Sequence, residues 1–146
     1  MRLPVLLLLL SAFTPCTFAQ AETSLLTPPP MQNSFVTAGK RQVAKTWLAT
    51  PTGRYQHFAF GDRFHATTLV AQLSDGSIHQ YETPQNMVFE DRHVRLADLN
   101  NDGRDELIVV MSSMSEGSEL AVFSVDREGL QHLASTPPIG LSFRWL

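Results

Sequence analysis

The chain is almost without cysteine. Its single thiol, Cys16, lies in an apolar N-terminal stretch. Once that stretch is removed no thiol remains, so neither a disulfide framework nor a cysteine nucleophile is available. Basic charge is also scarce. The formal net charge is −3 at pH 7. Without Arg2, ten basic residues face fourteen acidic ones, which argues against nucleic acid as a partner. The five histidines lack the paired spacing of a zinc helix and read as strand residues at interfaces or the surface. No Gly-x-Ser-x-Gly elbow and no phosphate-cradling glycine motif occurs. Glu116 and Glu119 read as loop acids rather than an acid pair. The chain is therefore expected not to be an enzyme. The N-terminal apolar stretch is too short for a comfortable membrane span, for which about 20 residues are needed.

The N-terminus reads as a targeting segment. Arg2 supplies a minimal positive start, residues 5–10 lead a short apolar region, and Ala19-Gln20-Ala21 fits a small-x-small cleavage site. Residues 1–21 are thus expected to be a signal peptide, which predicts a periplasmic or secreted protein. An uncleaved anchor and a lipoprotein at Cys16 are the alternatives; Pro15 does not suit a lipobox. Cleavage before Glu22 takes 21 of the 146 residues and leaves 125, enough for one modest core. Residues 22–49 read as a leader or linker around Pro28-Pro29-Pro30. Within it, residues 35–48 fit a helical turn or an edge strand equally well. Lys40-Arg41 with Lys45 reads as an exposed basic entry segment.

From Thr50 onward the pattern is all-β. Short apolar or alternating runs at residues 57–60, 67–73, 77–82 and 87–89 form one set of four strands, assigned to a unit at residues 50–91. Ser74-Asp75-Gly76 predicts a hairpin turn, with Gly76 at positive φ. A second set, at 93–97, 107–111, 120–125 and 130–134, belongs to a unit at residues 92–137. Poor alternation in residues 107–110 predicts a strand covered on both faces. The two sets overlay with a 36-residue offset, His57 on His93 and Asp62 on Asp98. The first loop, Arg63-Phe-His-Ala66, lacks carboxylates. Residues 138–146 carry Trp145-Leu146, similar to Trp47-Leu48, and read as the start of a further repeat.

The densest chemistry lies in Asp98-Leu-Asn-Asn-Asp-Gly-Arg-Asp-Glu106. Oxygen-bearing side chains recur at Asp98, Asn100 and Asp102, followed by Gly103 and the carboxylate of Glu106. In a tight loop such alternate side chains converge, and the Arg104 carbonyl can add one more oxygen. An all-oxygen set of this kind suits Ca2+. The twelfth position, Val109, excludes an EF-hand, whose loop closes on a bidentate Glu. A plain acidic hairpin turn is the simpler alternative. Asp105 reads as a solvent-facing neighbour.

This stretch, with Leu-Ile-Val after it, resembles the signature of the FG-GAP/VCBS repeat, the blade unit of integrin-α-like β-propellers. The resemblance covers residues 92–137. It implies four-stranded antiparallel blades, about two here, and calcium bound through Asp98, Asn100, Asp102, the Arg104 carbonyl and Glu106. Residues 50–91 would be a degenerate blade without a metal site. Four to eight blades close a propeller, so about two leave exposed edges. Self-association, or a partner protein that completes the array, is the expectation. The implied role is structural or adhesive. A carbohydrate-binding module, or a fragment of a polysaccharide-acting propeller, is the alternative, with a glycan as ligand. Trp47, Tyr55, Tyr81 and Trp145 are the aromatics that could stack on sugar, although packing is the commoner use of such residues.

Overall fold

A computed structural model describes residues 27–32, 34–53, 65–113 and 115–139. The signal segment, the strand expected at 57–60, Asp62, Tyr55 and Trp145 lie outside the described residues. The architecture is all-β and antiparallel, and no helix occurs among the described residues.

Nine strands follow one another: β1 (Thr37–Ala38), β2 (Val43–Pro51), β3 (His65–Leu73), β4 (Ile78–Glu82), β5 (Met87–Glu90), β6 (Arg95–Ala97), β7 (Glu106–Ser113), β8 (Gly117–Asp126) and β9 (Gly129–Ser135). The open segment 35–48 thus resolves as β1 and the start of β2. Two runs of sequential neighbours result, β1-β2-β3-β4 and β6-β7-β8-β9. β5 joins them into one hydrogen-bonded sheet. It pairs with the start of β3, His65 opposite Glu90, and with the end of β7, Met87 opposite Ser113. β4 takes the rest of β3, and β6 takes the rest of β7.

Alternation sorts the strands into faces. Leu48, Leu69 and Ala71 from the first run meet Leu107, Val109, Met111, Phe123 and Val125 from the second in a single buried cluster, with Phe89 of β5 among them. Tyr81 on β4 reaches across to Phe123, ring centres 4.8 Å apart at a T-shaped angle. Phe89 and Phe123 are fully buried, and each buried ring contributes roughly 1.5–3 kcal/mol. β7 is buried along almost its whole length, on alternate sides, as its unbroken apolar run predicts.

The proline-rich leader is docked rather than free where it is described. Pro30 bridges Ala49, the Met31 N–H donates to the Leu48 carbonyl at 2.8 Å, and Met31 enters the core. Trp47 points to the opposite face, packs on Ala49 and Val70, and donates its indole N–H to the Pro28 carbonyl. Between β5 and β6, buried Asp91 turns the chain. It accepts from Arg92 N, from the Arg95 guanidinium at 2.7 Å and from Val110 N. This fixes the start of β6 against β7 and so sets the origin of the loop that follows.

Candidate metal centre

The acidic stretch connects β6 to β7, with Ala97 opposite Glu106 at its base. Two residues in it adopt left-handed backbone, Asn101 (φ 61°) and Gly103 (φ 85°). Asparagine and glycine are the residues that tolerate this conformation best. The carboxylates are woven into the loop. Asp98 accepts from the N–H groups of Asp102 and Gly103 at 3.1 and 2.9 Å. Asn100 Oδ1 accepts from Asp102 N at 3.0 Å, and Asp102 Oδ1 accepts from Arg104 N at 2.8 Å. Glu106, buried at the base, reaches back to accept from Leu99 N at 2.7 Å. The Asn100 amide donates to the other Asp102 oxygen at 3.1 Å.

The five expected ligand positions therefore share one loop, all with oxygen donors. A carboxylate has about four lone-pair sites, so one or two N–H bonds leave sites open to a cation. The chemistry of this donor set fits a hard divalent ion. Among the described residues no three of His, Cys, Asp or Glu converge tightly enough to form a ready-made cluster. Asp98, Asp102 and Glu106 are instead each held by backbone N–H groups of the loop. A cation would have to draw them inward. An open cleft of about 520 Å³ is bounded by Thr37–Arg41, Leu96–Asp98 and Asp105.

Asp105 departs from expectation. It is buried, 8 % exposed, and does not face solvent. Its carboxylate accepts from the Arg41 guanidinium at 2.6 Å. Its main chain is bracketed by Gln42: the side-chain amide donates to the Asp105 carbonyl at 2.8 Å and accepts from Asp105 N at 2.9 Å. Lys40, Arg41 and Lys45 are exposed as expected, and Arg41 is in addition tethered to Asp105. Arg41 and Gln42 are the site neighbours that sequence reasoning missed. They lie 64 and 63 residues from Asp105, respectively, and no local spacing could have paired them.

The remaining candidates are packed or differently arranged. Trp47 is 8 % exposed, and Tyr81 is partly buried with its ring packed against Phe89 and Phe123. His65 is buried in β3, and His79 and His132 lie in β4 and β9. On the exposed face of β9, the Ser135 hydroxyl sits 2.8 Å from both His132 Nε2 and Glu119. A nucleophilic serine needs the acid to orient the imidazole; here the carboxylate holds the hydroxyl instead.

No family model matches the chain, and no curated protein or solved structure matches it either.

Proposed function

We propose that this is an exported, non-catalytic calcium-binding protein of the FG-GAP/VCBS-repeat kind, in which one divalent ion braces the β6–β7 connection. The ligands would be Asp98, Asn100, Asp102, the Arg104 carbonyl and Glu106. The observation that carries this reading is the excess of oxygen in the loop. Asp98, Asn100, Asp102 and Glu106 all bond backbone N–H groups of one eight-residue turn, where a hairpin needs a single such acceptor. Cation binding favours the folded form by mass action. Affinities of about 10⁻⁴–10⁻³ M are common in extracellular modules, and weak binding is expected with an asparagine in the set.

Calorimetric calcium titration with thermal melting tests the reading. Wild type should show a calcium-dependent rise in melting temperature that Asp102→Ala lacks, with magnesium less effective. A wild-type melt that ignores millimolar calcium would sink it.

The role is structural or adhesive, with a second copy or a partner protein completing the sheet array. β9 supports this reading: among the described residues it pairs only with β8. It carries no charged residue and no proline over Gly129–Ser135, two devices that commonly keep an edge strand from pairing. Size-exclusion chromatography with light scattering should report self-association; a compact monomer across micromolar concentrations would contradict that half of the proposal.

A further inference from the structure

The acidic loop carries its own cation, supplied by a distant part of the chain. Arg41 Nη1 stands 2.6 Å from Asp105 Oδ1 and 3.5 Å from Asp98 Oδ2. The side chains of Asp98 and Asp105 are only 8 % and 10 % exposed, so this charge meets carboxylates that are mostly withdrawn from water. Arg104, the basic residue inside the loop, turns its guanidinium away to the Val125 carbonyl. The two contacts of Arg41 are unequal in a telling way. The short one is to Asp105, which is outside the proposed ligand set. The long one is to Asp98, the first proposed ligand.

The short contact is a fixed anchor. Gln42 grips the Asp105 main chain in both directions, and Ser74 holds the carbonyls of Arg41 and Gln42 from the β3–β4 turn. Gly39 lets the β1–β2 turn close this tightly; a Cβ there would collide with the Val43 carbonyl. Arg41 is thus held where it leans on Asp98 without being a free surface side chain.

We propose that Arg41 is a built-in counter-ion of this loop. It stabilises the metal-free loop by partly neutralising Asp98, and it competes with a divalent cation for the same oxygen. This inference rests on the calcium reading above. The Arg41 side chain is 45 % exposed, so solvent screening keeps the effect modest.

The test measures calcium affinity by calorimetry, and melting temperature in chelator, for wild type, Arg41→Gln, Arg41→Met and Arg41→Lys, with circular dichroism to check the fold. Both neutral variants should bind calcium about three- to tenfold more tightly and melt about 2–5 °C lower in chelator. Arg41→Lys, which keeps the charge, should lie nearer wild type on both measures. Either neutral variant suffices if the other fails to fold. Unchanged or weaker binding in the neutral variants, with wild type binding normally, overturns the counter-ion role and leaves the calcium site standing. Binding by the variants with a silent wild type supports it strongly. No binding by any of the four proteins removes the calcium reading and this inference together.

Discussion

The β3–β4 turn and the β6–β7 loop make the same chain reversal with different means. In the first, Asp75 accepts from Ser77 N and Ser77 Oγ, Gly76 takes φ 89°, and the hairpin is complete. The β8–β9 turn works the same way, with Asp126 accepting from Glu128 N and Gly129 N. One aspartate and one glycine are enough to turn a strand. The β6–β7 loop also has its glycine, but it spends three carboxylates and an asparagine on the job and then draws Arg41 to the outside of the cluster. Like charges gathered in one short loop disfavour it unless hydrogen bonds or a counter-charge offset them. That surplus of acceptors is what sets this loop apart from the two simple turns.

The largest expected contrast is in metal response. Asp98→Ala should abolish calcium-induced stabilisation, worth about 2.7 kcal/mol at a hundredfold excess over Kd, while Asp75→Ala should leave it intact. Equal responses from the two variants in calcium-dependent melts would erase the distinction. Next come the two glycines. Gly103→Ala and Gly76→Ala each force an L side chain into left-handed backbone at roughly 1–2 kcal/mol, measurable by urea unfolding in chelator. Calcium should widen the gap between them, because only Gly103 lies in the proposed calcium loop. The smallest effect is at Asp75, whose carboxyl is held below the usual range by the Ser77 hydroxyl and N–H, with Arg127 adding attraction. A depressed folded-state value contributes stability that is present above the ordinary carboxylate range and lost as pH falls through the folded value. Ser77→Ala should move the Asp75 titration upward, toward the ordinary value, in NMR. No such movement would mean that the turn does not rely on this bond.

Much of the fold was legible residue by residue. The strands expected at 67–73, 77–82, 87–89, 93–97, 107–111, 120–125 and 130–134 all overlap observed ones, because apolar runs bounded by Gly, Ser and Asp are local signals. Segment 35–48 was not legible. It becomes β2 because Leu48 and Thr46 find Leu69 and Ala71 across the sheet, a pairing that depends on residues more than 20 positions away. β5 also escaped a reading by sets, since it is too short to show that it serves two neighbours at once. In the β6–β7 loop the run of oxygen-bearing side chains and the turn glycine were readable from spacing. The burial of Asp105 was not, because Asp105 and Glu106 look alike until Arg41 and Gln42 arrive.

By itself, the order of residues determined an all-β chain with one acid-rich connection, because turn chemistry and strand alternation act over a few neighbours. Only the tertiary structure decided how the two strand runs share a core through β5, and which cation faces the acids. Those choices are made by side chains brought together from some sixty residues apart, where excluded volume and buried charge, rather than sequence spacing, select the partner.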